Sequence, residues 1–409
     1  MIKVLWACCL LVCGIFIACK PPINDLKTGT WRAILETNSG AEIPFIFQVS
    51  QSEGKKAIHI INGAENIKVE GLVSGRNVTI PLPSFGSEIK AKLTSSGLEG
   101  AWIRHLPNKD SEIPFRAEYN IKKRFVDSEA PMYNITGRWR TRFVAEGRAD
   151  STIAVGEFIQ KGALVKGTFL TASGDYRYLE GSVSGDKLSL SAFDGAHAYL
   201  FTATIKGPQT ISEGKFYAGA SAVEDWSASK NAQASLPDAY SLTSLKEGTS
   251  SIEFNFESLD GKPVSLKDDV FENKIIVVQL FGSWCPNCVD EMKYLVQFYN
   301  KYHKKGVEVV GLAYERSGEK EWAKKAVGKL KQRLNVPYPL LLTGYTHKEV
   351  VKSMPQIVDF KSFPTTIVID KNKKARKIHT GFTGPATGAH YANFIKEFEA
   401  QIDMLLAEK

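Results

Sequence analysis

Between Cys19 and Cys285 the chain has no cysteine, and after Cys288 it has none either. That scarcity excludes a small scaffold stapled by disulfides. It also leaves no second cysteine pair, and no His-x-x-x-His spacing, from which a four-ligand zinc site is built. The histidines are scattered, and His59, His105 and His197 read as isolated surface or core residues rather than metal ligands. Apolar residues at 43% and charged residues at 23% lie in the ordinary globular range, which excludes a collagen-like, wholly disordered or polytopic membrane chain. Lys and Arg exceed Asp and Glu by 52 to 44, yet no basic patch coincides with a nucleic-acid motif, so no nucleic-acid partner is expected. No metal and no cofactor are expected. At roughly 150 residues per domain, 409 residues make two or three domains rather than one.

The four remaining cysteines fall within the first nineteen residues. Lys3 and the apolar stretch Val4 to Ala18 read as a secretory segment, about the length of a signal core and short for a spanning helix. Phe16-Ile17-Ala18-Cys19 resembles a bacterial lipobox, with Phe16 where the usual motif has Leu. The resemblance implies that residues 1–18 are a lipoprotein signal peptide and that Cys19 is lipidated. The mature chain would then be held at the cell envelope by lipid, facing the periplasm. Processing would leave two thiols, Cys285 and Cys288, in an oxidising compartment.

Residues 19–27, with two prolines, read as a tether. Short alternating runs punctuated by Gly, Asn and Ser follow, from about 28 to 125, and predict an antiparallel barrel or sandwich. The pattern recurs over 134–228. Thr28-Gly29-Thr30-Trp31-Arg32 returns as Thr136-Gly137-Arg138-Trp139-Arg140, and Val69-Glu70-Gly71 through Gly75 returns as Leu179-Glu180-Gly181 through Gly185. Nearly equal offsets predict a duplicated unit, with Trp31 and Trp139 closing each core. Gly-x-Trp at a first strand also resembles the start of lipocalin-like barrels. Residues 229–249 read as a linker. From 250 to 409 the pattern becomes α/β: Ile275 to Phe281 and Val307 to Ala313 are apolar without alternation, as strands buried on both faces are. Helical stripes cover Asn287 to Tyr302, Glu319 to Leu334 and His390 to Leu406. Lys371, Lys373, Lys374, Arg376 and Lys377 form a basic cluster, read as a solvated hairpin turn, with docking of an acidic partner as the alternative.

Chemistry concentrates at Trp284-Cys285-Pro286-Asn287-Cys288, where the first long strand turns into a helix. A cysteine at a helix N-terminus meets unpaired N–H groups and the positive end of the helix dipole, which favour the nucleophilic thiolate. Three residues on, a second cysteine lies on the same face, at about the 5–6 Å Cα separation that a disulfide needs. Proline is tolerated in the first helical turn. An inert disulfide and Cu(I) binding with Met292 are the competing readings of the pair.

On these residues the region 250–409 resembles the thioredoxin superfamily, and within it the TlpA/ResA-like thiol-disulfide oxidoreductases. Asp260-Gly-Lys-Pro-Val-Ser-Leu266 resembles that family's opening hairpin, Leu280-Phe-Gly-Ser-Trp-Cys-Pro-Asn-Cys288 its active-site turn, and Phe363-Pro364-Thr-Thr-Ile-Val-Ile-Asp370 its second signature. The resemblance implies a cis bond before Pro364, facing the cysteines, and backbone pairing of Phe363 with substrate. It makes Trp284, Pro286, Phe363 and Pro364 the docking residues. Gln279 stands where thioredoxin has a buried Asp, and Glu291 matches the glutamate of ResA-like proteins, so Glu291 is expected to be the acid/base serving Cys288.

The fold class expected is thus multidomain: two antiparallel β-rich repeats followed by a thioredoxin-like domain. The activity expected is thiol-disulfide exchange, reductive in direction, on disulfide-containing periplasmic proteins, with a membrane thiol relay as electron donor. An envelope binding module or copper-handling protein with a secondary redox domain is the alternative. A peroxiredoxin-like peroxidase fits less well, because Val278 and Gly282 occupy the places where the peroxidatic motif has Pro and Thr or Ser.

Overall fold

A computed structural model describes residues 25–408, apart from 83–85, 107–108 and 148–149. The expected signal segment and Cys19 lie outside the described residues. Among those described, no helix is long and apolar enough to cross a membrane.

Eight antiparallel strands, from Gly29–Glu36 to Ser111–Tyr119, pair in chain order and close into a barrel when the last returns to the first, with Leu35 opposite Phe115. Strict alternation drives this: Asn77–Leu82 and Ser87–Leu93 bury every second residue. The strands from Gly137–Ala145 to Ala222–Lys230 close a second barrel in the same order. The duplication read from the repeated peptides is thus a duplicated topology. Trp31 and Trp139 are fully buried, and each indole N–H donates to the carbonyl four residues before it, Lys27 and Ile135. Gly29 and Gly137 adopt φ of 124° and 126°, a conformation that suits glycine.

The two copies differ after the third strand. In the first barrel residues 63–64 make a tight turn. In the second, residues 172–178 form a longer loop that carries an added two-residue strand, Gly174–Asp175. The barrels also share a core: Phe193 of the second stacks on Phe45 of the first at 4.3 Å and meets Trp102 edge-on at 5.1 Å.

The C-terminal domain is a seven-stranded mixed sheet in the order Pro263–Ser265, Asn255–Ser258, Leu340–Thr346, Val307–Glu315, Ile275–Phe281, Thr365–Ile369, Ala375–Thr380. Every residue of its two central strands is buried. Helices α1 (Pro286–Tyr302), α2 (Lys320–Leu334), α3 (Val350–Ser353) and α4 (Ala389–Ala407) pack on it. Along the central strand Ile275, Val277 and Phe281 face the core under α1, α2 and α4, whereas Ile276, Val278 and Leu280 face the core under α3. Gln279 falls on the α1 side by this same alternation.

Two expectations are adjusted. The end of the expected tether is packed, with Leu26 fully buried in the first barrel's core. The segment expected as a linker, 229–249, is docked rather than free. Its first residues finish the last barrel strand, Ala234 packs on Val155 and Leu170, and Ser244–Leu245 pairs with Ile357–Val358. The basic cluster at 371–377 does form a hairpin turn. There Arg376 pairs with Asp370 and Glu408, and Lys371 donates to the Leu406 carbonyl near the C-terminus of α4, where cations are favoured.

Candidate active site

Strand Ile275–Phe281 delivers the chain to a short turn, and α1 begins at Pro286 with Cys285 as its N-cap. Cys285 Sγ accepts the Cys288 N–H at 3.3 Å, so the sulfur takes one of the helix's unpaired donors. The two cysteines are joined as a disulfide with Cα atoms 5.2 Å apart. Cys285 is 6% exposed and Cys288 is fully buried, so only the first offers an edge to solvent.

Glu315, at the end of the neighbouring strand, fixes the turn. Its carboxylate accepts the Ser283 N–H at 2.7 Å and the Ser283 hydroxyl at 2.9 Å. Burial pushes its pKa up to about 6 despite these bonds. Trp284 is held outward by its indole donating to the Tyr314 carbonyl at 3.1 Å, with its ring 5.9 Å from Phe363. The Phe363–Pro364 peptide is cis. Thr365 pairs with Leu280, which brings Pro364 to the same end of the sheet as the cysteine turn. Pro286 and Pro364 are buried, while Trp284 and Phe363 are partly exposed, so of the four docking candidates these two rings present the surface.

Beneath the turn Glu291 is 1% exposed. One carboxylate oxygen accepts the Thr366 hydroxyl at 2.7 Å and the other accepts the Gln279 amide, also at 2.7 Å. The same amide nitrogen donates to the Cys288 carbonyl at 3.2 Å, linking Glu291 to the second cysteine. Burial, only partly offset by those two bonds, raises the Glu291 pKa to about 7. The Gln279 amide nitrogen thus bridges Glu291 and the Cys288 carbonyl, while its own buried carbonyl has no partner. Met292, the soft atom considered for copper, is fully buried among Val289, Leu295 and Phe298. Among the described residues no group of three or more His, Cys, Asp or Glu is arranged to hold a metal.

The second barrel reaches this site through its added loop. Asn287, between the cysteines, points its amide at the Ser173 carbonyl, 3.5 Å away. Gly174 bridges to Phe382, and Asp175 accepts the Gly384 N–H at 2.8 Å. Behind the loop is a buried ion cluster drawn from all three modules. Arg177 contacts Asp290 of α1, lies 2.6 Å from Glu65 of the first barrel, and has its Nε 3.2 Å from Asp194 of the second. Burial alone would lower the Arg177 pKa, but Asp290, Glu65 and Asp194 together raise it well above the ordinary value. Asp194 is held well below the carboxylate range: burial opposes this, and His197 and Arg177 overcome it. Sequence reasoning missed Glu315, Arg177 and the 172–175 loop. Arg177 lies 113 residues from Asp290, and no local pattern marks such a pair.

A Cβ on Gly174 would fall 2.1 Å from Asn287 Nδ2 and 2.9 Å from the Phe382 carbonyl, at a φ of +142° that side chains rarely adopt. Gly174→Ala is therefore expected to lift the loop from the start of α1 and to raise the alkylation rate of reduced Cys285 severalfold. Equal rates in variant and wild type would show that the loop does not restrict access.

The Redoxin family model matches residues 245–393. The thiol-disulfide oxidoreductase ResA of Geobacillus thermodenitrificans is 30% identical over 142 residues, covering 34% of this chain and 72% of that protein. ResA of Bacillus subtilis is 28% identical over 156 residues, covering 38% and 79%. Among solved structures, a thiol:disulfide interchange protein of the thioredoxin family from Chlorobium tepidum aligns with a TM-score of 0.30 at 21% identity, over 40% of this chain and 99% of that one. The matched residues hold the cysteine turn, Glu291 and the cis-proline strand, and the chain belongs to the ResA-like thiol-disulfide oxidoreductases of the thioredoxin superfamily.

Proposed function

We propose that the chain is a reductase of protein disulfides, anchored by lipid on Cys19 and working on the periplasmic side of a bacterial membrane. The dithiol form starts the cycle. The Cys285 thiolate attacks one sulfur of a substrate disulfide, the other substrate sulfur leaves as a thiolate, and a mixed disulfide forms. Glu291 takes the proton from Cys288, whose thiolate then attacks Cys285 Sγ and releases the second substrate thiol. Two electrons have passed to the substrate, and the enzyme holds the Cys285–Cys288 disulfide. A membrane thiol relay returns two electrons to it. Trp284 and Phe363 form the docking surface, with Pro286 and Pro364 shaping it from below.

The observation that carries this reading is the pairing of an N-cap cysteine, 6% exposed, with a fully buried second cysteine tied through Gln279 to a buried carboxyl. One sulfur can meet a protein substrate and the other can only resolve. The sequence around Cys19 supports the anchor.

The test uses the full chain lacking residues 1–19. Wild type is expected to reduce insulin disulfides in the presence of dithiothreitol, and Cys285→Ser to abolish the activity. Cys288→Ser should strand substrates on Cys285 as mixed disulfides, seen on non-reducing gels of an envelope extract. Undiminished insulin reduction by Cys285→Ser would sink the assignment.

A further inference from the structure

A crevice of about 450 Å³ opens beside the cysteine turn, walled by the first barrel on one side and the C-terminal domain on the other. Trp284 and Trp322 form part of its floor, and four cations border it: Arg104 from the barrel, Arg316 from the loop after Val307–Glu315, and Lys325 and Lys329 from α2. Among the described residues no Asp or Glu lines it. Among the described residues none of the four cations forms a close salt bridge, Arg316 being only drawn toward Glu315, and Arg104 Nε is buried without a hydrogen-bond partner. The nearest acids are committed elsewhere. Glu315 is turned inward onto Ser283, and Glu88 and Asp110 pair with His105. Burial lowers the pKa of both guanidiniums, repulsion from Arg316 lowers that of Arg104 further, and Glu315 only partly offsets the effect of burial on Arg316. Four cations gathered at one crevice, with Glu315 as the one carboxylate acting on Arg316, are an arrangement that a further anion would relieve.

The crevice is continuous with the docking surface. Arg316 lies 4.9 Å over the Trp284 ring, which also meets His347 at 5.3 Å and Phe363 at 5.9 Å. The 172–175 loop lies against Asn287 at the start of α1 and bridges to Phe382, and none of its residues lines the crevice. A chain whose cysteine reaches Cys285 therefore has its open path along Trp284 into the crevice.

We propose that this crevice is a specificity subsite for the substrate polypeptide, taking acidic side chains that flank the target cysteine, with an apolar neighbour packed on Trp284 and Trp322. The proposal rests on the reductase reading above and adds the class of substrate: disulfides in acidic-apolar segments. The first barrel thus contributes directly to substrate choice through Arg104.

The test has two arms. In the first, disulfide-linked peptides with Glu-Leu, Gln-Leu or Lys-Leu beside the cysteine are reduced by the chain lacking residues 1–19, with dithiothreitol supplying the electrons and product thiols counted. We expect kcat/KM for the Glu peptide to exceed that for the Lys peptide about tenfold at low salt, falling as salt rises. Arg104→Glu with Arg316→Glu should erase or invert the order. Lys325→Glu with Lys329→Glu, on an exposed helix face where folding is not at stake, should narrow it. In the second arm, cysteine-free versions of the peptides are titrated against tryptophan fluorescence, a readout that needs no redox chemistry. Preferential binding of the acidic peptide without reduction of either disulfide would keep the subsite and overturn the reductase reading. Equal binding and equal kcat/KM for acidic and basic peptides, or a preference untouched by both double variants, would overturn the subsite.

Discussion

An Arg177→Ala variant is expected to lose the docked arrangement of its three modules, with a stability cost of about 3–5 kcal/mol, the range for breaking a buried ion pair. The reason lies in what remains. Asp290, Glu65 and Asp194 converge on one guanidinium that is 5% exposed, and without it three carboxyl groups face each other with only Lys293 beside Asp290 and His197 beside Asp194 to offset their repulsion. Each must then take up a proton, find solvent or move apart, and moving apart separates the barrels from α1. Thermal denaturation should show an earlier first transition, and small-angle scattering should show a larger radius. Arg177→Lys should recover only part of the loss, because a single ammonium cannot offer the fork that meets three acids. An Arg177→Ala protein with unchanged melting and an unchanged scattering profile would refute the clamp. The consequence reaches function: α1 begins with the cysteines, and Asp290 is two residues from Cys288, so releasing Arg177 loosens the helix end that sets the redox centre.

What could be read from the sequence, and what could not, follows from the range of the interactions. The cysteine turn, its strand and its helix are local, and 275–281 and 286–302 appear nearly where periodicity places them. Glu291 was legible because three residues along a helix return to the same face. The duplication was legible in Gly-x-Trp and in the Glu-Gly peptides. Whether those strands made a barrel or a sandwich was not, since alternation is common to both and closure depends on pairing Leu35 with Phe115, 80 residues apart in the chain. The 172–178 loop carries no such mark, and only the structure shows that it lies against Asn287. Arg104, Arg177 and Glu315 carry no local signal at all, because each acts on a residue of a distant segment.

Glu291→Gln offers the second large effect, and two readouts separate its causes. In the folded protein burial lifts the carboxyl from an ordinary 4.5 to about 7, so the native state holds its proton more tightly than the unfolded chain. The sign follows: this contribution to stability is fully present below about pH 4.5 and is lost as pH rises through 7. Over that window the wild type should lose about 3 kcal/mol that the uncharged variant keeps. The variant's side-chain amide can still accept from Gln279 and can donate to Thr366, so denaturant midpoints of the two proteins should lie close at pH 4.5 and diverge, with the variant more stable, toward pH 8. Kinetics should move the other way. As the proton acceptor for Cys288, Glu291 is expected to speed resolution of the mixed disulfide by about 10²–10⁴-fold. The variant should therefore accumulate that intermediate and lose the inflection near pH 7 in kcat/KM. A purely structural carboxyl would shift the stability curve and leave the pH profile of the rate in place. Stability that diverges with pH beside an unaltered rate profile would remove Glu291 from the chemistry, whereas parallel stability curves would mean that its charge is not suppressed by burial in the first place.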